Sequence, residues 1–162
     1  MFDLLIPLFL ISMPFLIFAY AFSTRKKRKS NKRRKKHHRM IKQCSYEGSI
    51  GPLLEAHREN EIAAEAKYIG TIIRVKGTVL RVAKSRLSKY DVYPSLIVIL
   101  FVDGGSVLCC MSEDEKEQLI EIRIEDEVVV YGVIVGFDLD IDRLILNGCF
   151  ILIEEKEAHG HQ

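Results

Sequence analysis

The segment AKSRLSKYDVYPS, residues 83–95, combines cations with aromatic rings. Guanidinium and ammonium groups bind phosphates, and aromatic rings stack on bases. Together they form the usual apparatus for holding a single nucleic-acid strand. The candidate binding residues in and beside this segment are Arg81, Lys84, Arg86, Lys89, Tyr90 and Tyr93. The alternative is a solvated hairpin that is basic but binds nothing, and the sequence leaves both interpretations open.

Charge is distributed unevenly around this segment. Residues 66–110 carry a net charge of +5, whereas residues 111–162 carry −10. The acidic half includes the motif FDLDID with Asp138, Asp140 and Asp142, which would repel a nucleic acid. A calcium site is disfavoured there because the distal bidentate Glu of a calcium loop is missing. Residues 43–162 together have a net charge of −9. This negative charge argues against tight, sequence-independent binding of nucleic acid by these residues alone.

Residues suited to catalysis do not occur in a catalytic pattern. The cysteines Cys44, Cys109, Cys110 and Cys149 form no Cys-x-x-Cys pair, and we expect reduced thiols. The histidines are expected to be solvated; they are His37, His38, His57, His159 and His161. No phosphate loop, catalytic triad or pair of carboxylates is evident. We therefore predict a protein that is not an enzyme and has no metal ion or cofactor.

A strongly basic block lies between Arg25 and Lys42, with twelve of the 24 Lys and Arg residues. Beside a membrane such cations determine topology and bind anionic headgroups. The predicted topogenic and lipid-binding residues are Arg25, Lys26, Lys27, Arg28, Lys29, Lys32, Arg33, Arg34, Lys35 and Lys36. Capture of RNA or DNA by the same cations stays open. We expect residues 25–50 to be a flexible coil.

The block follows an uncharged apolar run from Leu4 to Phe22. As a helix this run would span roughly 28 Å, close to the hydrocarbon thickness of a bilayer. A cleaved signal peptide is less consistent with the sequence, because Asp3 precedes the run and the cations follow it. A buried core helix would normally keep a polar face. We predict a single transmembrane helix, with the N-terminus outside and the rest in the cytoplasm at the inner membrane.

The remaining elements are predicted from periodicity. GPLLEAHRENEIAAEAKY has the pattern of one amphipathic helix, with Leu53, Leu54, Ile62, Ala63 and Ala66 on its apolar face. Five strands follow, and a short helix with Ser112 at its N-cap and Glu115 three residues on separates the third strand from the fourth. Gly77 predicts a bend in the first strand. This order predicts an all-β fold, a five-stranded Greek-key OB-fold barrel with a preceding helix and a helix between strands 3 and 4.

Four stretches resemble the tRNA-anti-like OB-fold family of bacteria and their phages. They are NEIAAEAKYIG, VKGTV, DEVVVYGVIVG and LILNGCFI, beginning at Asn60, Val75, Asp126 and Leu144. The family pattern of Asn-Glu, a spaced Ala and Lys-Tyr is matched by Asn60, Glu61, Ala64, Lys67 and Tyr68. Glu125 departs from the pattern, since the family commonly has Gly there. The resemblance implies the fold and, by analogy, nucleic-acid binding, and it implies no catalytic residue.

The sequence thus predicts four segments: a transmembrane helix in 1–23, a basic juxtamembrane linker in 24–49, an OB-fold domain in 50–155 and a polar tail in 156–162. The expected partners are anionic lipid, a protein at the membrane, or single-stranded nucleic acid. A site where DNA or RNA meets the membrane, for example in exclusion of incoming phage DNA, would suit both halves. The alternative is a structural adaptor that docks on a membrane protein complex and binds no nucleic acid.

Overall fold

The computed structural model describes residues 28–84 and 96–152. Within them the helices are α1 (28–43), α2 (Gly51–Glu59), α3 (Glu61–Tyr68) and α4 (Lys116–Leu119). The strands are β1 (Tyr46–Glu47), β2 (Ile72–Lys84), β3 (Leu96–Val102), β4 (Gly105–Met111), β5 (Glu127–Asp138) and β6 (Arg143–Leu152). Contacts divide the chain into two compact units with the boundary between Arg39 and Met40, and the barrel lies in the second.

Five of the strands close into a barrel in the order β2-β3-β4-β6-β5 and back to β2. The long strand β2 makes closure possible. Its first half, Ile72–Thr78, pairs with β5, and its second half, Thr78–Lys84, pairs with β3. β4 and β6 run parallel, and the other barrel pairs are antiparallel. This confirms the predicted five-stranded OB-fold barrel. The short strand β1, parallel to β2, was not predicted.

Alternating side chains fill the barrel. Val98, Leu100 and Val107 are fully buried. The residues directly next to them in β3 and β4 are half-buried or exposed, as expected of strands with one buried face. The predicted bend in β2 is confirmed, because the strand changes partner at Thr78 and its register shifts between Val79 and Arg81. Such irregularities let one strand coil round two sides of a small barrel.

A second apolar cluster lies on the outer face of β5 and β6. Val129, Tyr131 and Phe150 face away from the barrel interior, yet all three are buried. Met40, near the end of α1, packs with them and is itself 6% exposed. The rings of Tyr131 and Phe150 stack with centroids 5.1 Å apart and an interplanar angle of 4°. The unit that begins at Met40 therefore has a core on both sides of these two strands.

The predicted single helix before the barrel is instead two helices broken at Asn60. The backbone of Asn60 is extended, and its side chain accepts a hydrogen bond from the Ala63 amide, which caps the start of α3. The break turns Ile62 outward, leaving it 82% exposed, and Ala64 becomes the buried residue of α3. The prediction that Ile62, Ala63 and Ala66 lie on a buried face was wrong.

Three local expectations have different outcomes. Residues 28–43 are helical, so the flexible-coil prediction is wrong for them.

Ser112 stands at the N-cap position as predicted, but its side chain makes no capping hydrogen bond. The helix after it is a single turn of 3-10 helix followed by the four-residue α4. Glu125 has a φ of +74°, the left-handed conformation that a Gly would adopt more easily, and its amide still donates to the Val79 carbonyl.

The predicted transmembrane helix at residues 4–22 lies outside the described residues. Within 28–84 and 96–152, none of the helices has the length and apolar character needed to cross a membrane.

Candidate nucleic-acid interface

The outer face of β3 and β4, the second and third barrel strands, is the surface on which OB-folds bind oligonucleotides, together with the loops after the first and fourth barrel strands. Here β6 lies beside β4 and continues this face. Pairing between strands sets the order of side chains across this face. Ile97 lies opposite Cys110, Ile99 opposite Leu108, and Phe101 opposite Ser106. On the far side of β4, Ser106 pairs with Arg143 and Leu108 with Ile145. The middle of the face is thus aliphatic, and the polar residues lie towards one end.

Phe101 is an exposed aromatic residue of this face, with 56% of its surface accessible. Two arginines lie on strands to either side of it, one on β2 and one on β6. On one side the Arg143 Nε donates to the Ser106 hydroxyl at 3.1 Å, which brings the guanidinium back towards the residue opposite Phe101. On the other side is Arg81 of β2, which lies opposite Ile99, two residues from Phe101. An exposed ring on the same face as two guanidinium groups is suited to stack on a base while the cations bind nearby phosphates.

The position of Arg81 depends on the irregularity of β2. The register shifts between Val79 and Arg81, and both Leu80 and Arg81 are exposed. After the shift Arg81 pairs with Ile99, whose side chain is on the outer face. Without the extra residue Leu80, Arg81 would have the opposite orientation, because side chains alternate along a strand.

The structure places Lys84 at the end of β2, where its Nζ lies 3.6 Å from a Glu113 carboxylate oxygen. Both side chains are largely exposed, so the ion pair stabilises little and leaves Lys84 free to bind a phosphate instead. The other predicted residues, Arg86, Lys89, Tyr90 and Tyr93, lie outside the described residues. Of the predicted nucleic-acid residues, the structure therefore brings Arg81 to the face and puts Lys84 at its edge.

Sequence reasoning missed Phe101 and Arg143. SLIVILFVD is apolar almost throughout, which hides the alternation of buried and accessible side chains in β3. The available signal was the aromatic residue two positions before the Asp103-Gly104 turn, where a strand end is normally accessible. Arg143 directly follows the acidic turn, so it was counted only in the net charge.

The acidic turn between β5 and β6 is partly neutralised. Asp142 accepts a hydrogen bond from the Arg58 guanidinium of α2, and its backbone carbonyl accepts one from the Ser106 amide at 2.8 Å. Asp142 has a left-handed backbone with a φ of +47°. The turn thus links α2 to the start of β4. Repulsion of a polyanion by this turn then comes chiefly from Asp138 and Asp140.

The basic residues before the barrel are only partly described. Arg25, Lys26 and Lys27 lie outside the described residues, whereas the other seven predicted topogenic residues lie in α1. Six of these are exposed and Arg33 is half-buried. The seven are Arg28, Lys29, Lys32, Arg33, Arg34, Lys35 and Lys36.

The cysteines form no disulfide, and all four are free thiols within the described chain. Cys109 faces the barrel interior and its neighbour Cys110 faces outward, and Cys149 pairs with Met111 close to both. Burial raises the pKa of the Cys110 thiol, and the nearby Cys149 raises it further. A raised pKa lowers the thiolate fraction at neutral pH, so Cys110 is a weak nucleophile.

A family model describes this arrangement of elements. The tRNA_anti-like model matches residues 2–150, nearly the whole chain. The chain belongs to the tRNA_anti-like family. No curated protein matches the sequence.

Solved structures agree with the fold of this tRNA_anti-like chain. A crystal structure of a Klebsiella pneumoniae lipoprotein, to which nucleic-acid binding has been ascribed, is similar with a TM-score of 0.52 and 12% identity, over 65% of this chain and 90% of that one. The replication factor A related protein of Methanobacterium thermoautotrophicum has a TM-score of 0.39 and 17% identity, over 52% and 83% of the two chains. The Klebsiella structure supports the OB-fold.

The family-pattern residues have mostly structural roles here. Asn60 caps α3, Ala64 is buried, and Tyr68 packs partly buried against the barrel core. The Lys67 Nζ lies 4.9 Å from the centre of the Tyr68 ring, a cation–π contact. Glu61 is the exception, since it is exposed and makes no such packing contact with the core.

Proposed function

We propose that this chain is a membrane-anchored, non-catalytic OB-fold protein that binds single-stranded nucleic acid on the outer face of β3, β4 and β6. The observation that carries the proposal is an exposed Phe101 ring on the same face of the barrel as Arg81 and Arg143. Membership of the tRNA_anti-like family and the nucleic-acid binding ascribed to the Klebsiella lipoprotein support the same class of ligand.

The proposed binding mode follows from the chemistry of the face. One base stacks on Phe101, and the two arginines bind the phosphates on either side of it. Ile99 and Leu108, which are half-buried, contact the sugar or the next base. The predicted binding residues Arg86, Lys89, Tyr90 and Tyr93 follow β2 in the sequence and would add further contacts to phosphates and bases. Hydrogen bonds to base edges are few in this arrangement, so the binding should depend little on sequence.

Replacing Phe101 or Arg81 by alanine should weaken binding of single-stranded DNA by the full chain in two different ways. Phe101→Ala removes a stacking contact of about 1–3 kcal/mol, roughly 5- to 150-fold in affinity, with an unchanged salt dependence. Arg81→Ala removes a phosphate contact and should reduce the slope of log K against log salt by about one. Fluorescence anisotropy over a salt series measures both quantities.

Arg123→Ala is the matched control, because Arg123 is an exposed arginine that precedes β5 and is not part of β3, β4 or β6. Its affinity and salt slope should equal those of the unmodified chain. Binding that is unaffected by Phe101→Ala and Arg81→Ala would exclude the barrel face. Any DNA binding would then be due to the basic residues before it.

The second candidate is a structural adaptor that docks on a membrane protein. It is favoured by the aliphatic middle of the face, formed by Ile97, Ile99, Leu108 and Ile145, and by the acidic residues at its edges. Crosslinking in living cells followed by identification of the partner distinguishes the two candidates. A protein that contacts β3 or β4 in cells that yield no nucleic-acid adduct would favour the adaptor.

The proposed membrane anchor is supported by the apolar run at residues 4–22 and the basic block after it. Cations on the C-terminal side favour an N-terminus outside and a cytoplasmic barrel at the inner membrane. There the exposed cations of α1 bind anionic lipid. This setting would suit a protein that meets DNA or RNA at the membrane, including incoming phage DNA.

A reporter fused after Gln162 tests the orientation. A reporter enzyme that works only in the cytoplasm should be active in this fusion. A reporter enzyme that works only in the periplasm should be inactive in it. The matched control replaces six cations of the basic block by glutamine, which should reduce the bias towards this orientation. Periplasmic activity with the unmodified chain would contradict the proposed topology.

A further inference from the structure

His57 has a burial that a solvated surface histidine would not have. It lies in the last turn of α2, is only 7% exposed, and packs against the Phe137 ring with centroids 4.4 Å apart. Its Nδ1 is buried and has no hydrogen-bond partner among the described residues. The prediction that His57 is solvated was therefore wrong. The other ring nitrogen, Nε2, is the one that faces a neighbouring carboxylate.

Two carboxylates lie beside the imidazole. The His57 Nε2 is 3.8 Å from a Glu65 carboxylate oxygen, too far for a hydrogen bond but suited to a shared ligand. A carboxylate oxygen of Glu61, one of Glu65 and a ring nitrogen of His57 all lie within 4.8 Å of one another. Glu61 and Glu65 are one turn apart on α3 and are exposed, so an ion from solution can reach the cluster.

The helix break at Asn60 creates this geometry. In one straight helix, residues 57 and 65 would be separated by a rise of roughly 12 Å, beyond the reach of a shared ligand. The extended backbone of Asn60 redirects the chain between α2 and α3, which brings the end of α2 against one face of α3. The Asn60 side chain holds the break by capping α3. The three groups are therefore brought together by the fold rather than by sequence spacing alone.

We propose that His57, Glu61 and Glu65 bind a divalent transition-metal ion, with Zn²⁺ as the best-suited common one. One imidazole and two carboxylates match the three protein ligands of open zinc sites, in which water occupies the remaining position. The imidazole favours Zn²⁺ over Mg²⁺ and Ca²⁺, which prefer oxygen ligands. The ion would neutralise two adjacent carboxylates and link α2 to α3 across Asn60.

The site would also reach the turn between β5 and β6. His57 contacts Phe137 near the end of β5, and the next residue of α2, Arg58, binds Asp142 in the same turn. An ion that holds His57 in place would thus also hold the end of α2 in its contacts with Phe137 and Asp142. We expect a structural role for the ion, since its ligands come from two different helices, α2 and α3.

Zinc binding is tested on the full chain in a mild detergent. The chain has five histidines, so replacing His37, His38, His159 and His161 by asparagine leaves His57 as the only imidazole. In that background ZnCl₂ should shift the imidazole NMR signals of His57, and calorimetry should show binding that MgCl₂ does not compete away. Glu61→Gln or Glu65→Gln removes a proposed ligand of the ion. Each should weaken zinc binding by at least about 10- to 100-fold, the loss expected when only a group that supports a metal ligand is removed.

Glu55→Gln is the matched control, because Glu55 is an exposed acid on α2 outside the cluster. It should bind Zn²⁺ as the parent does. All three Glu variants alter exposed side chains, so their circular dichroism should be unchanged, and loss of binding would not reflect unfolding. An unshifted His57 signal, or equal zinc affinity in all three variants, would overturn the proposal. The cluster would then be a contact between the carboxylates and the imidazole that holds no metal ion.

Discussion

Replacing Phe150 by alanine should lower the free energy of unfolding by about 3–5 kcal/mol. Phe150 is fully buried on the outer face of β6, stacked on Tyr131 and in one cluster with Met40 and Val129. Truncation leaves a cavity that two strands of a closed barrel cannot easily collapse. It also removes the packing that holds the end of α1, starting at Met40, to the outside of β5 and β6. Urea unfolding of the full chain, followed by circular dichroism, measures the loss.

Phe101→Ala is the matched control, because it makes the same truncation at a ring that is 56% exposed. It should cost only a fraction of the loss at Phe150, since most of the ring already contacts water. The m-value should be the same for both variants if the unfolded states are alike. Equal destabilisation by the two variants would contradict the assignment of Phe150 to a second core.

Replacing Gly77 by alanine should destabilise the barrel by about 1–3 kcal/mol. A Cβ at position 77 would lie 2.6 Å from the Phe101 carbonyl oxygen and 2.7 Å from the Val102 Cγ2. The nearest atom belongs to the backbone of β3, so it cannot move aside without disturbing strand pairing. Gly77 is next to Thr78, where β2 changes partner from β5 to β3. The variant therefore strains the point at which the barrel closes.

Gly136→Ala provides the comparison within the same barrel. A Cβ there would meet only the Ile145 Cδ1, at 3.9 Å, an ordinary contact. Alanine also reduces the freedom of the unfolded chain, so this variant should be neutral or more stable by up to about 1 kcal/mol. The two Gly→Ala changes should thus differ in sign or at least clearly in size. Similar stabilities would mean that Gly77 is not required for closure.

The barrel could be predicted from the sequence because its strands differ clearly from their connections. The Asp103-Gly104 turn and the short helix after Ser112 each mark a strand end that the structure has, and Gly77 indicates the irregularity within β2. The number and order of the strands are then compatible with few fold topologies. β1 could not be predicted, since two residues, Tyr46 and Glu47, carry no periodicity and are a strand only because β2 lies beside them.

The features that were missed depend on contacts between distant segments. The break at Asn60 interrupts a sequence that is helical on both sides, and only the packing of Leu53, Leu54 and Ala64 shows why two helices fit better than one. The burial of His57 depends on Phe137, which is 80 positions away in the sequence. In the candidate interface, Arg81 was predicted from its charge. Phe101 was not, because its exposure depends on the face of β3 on which it lies.

The most direct test of the central claim is to identify which residues contact the nucleic acid. Single-stranded DNA with photoreactive bases would be crosslinked to the full chain, and the modified peptide identified by mass spectrometry. We predict crosslinks on the β3 peptide that contains Phe101, and their loss in Phe101→Ala. Crosslinks confined to residues 25–42, or none at all, would contradict binding by the barrel.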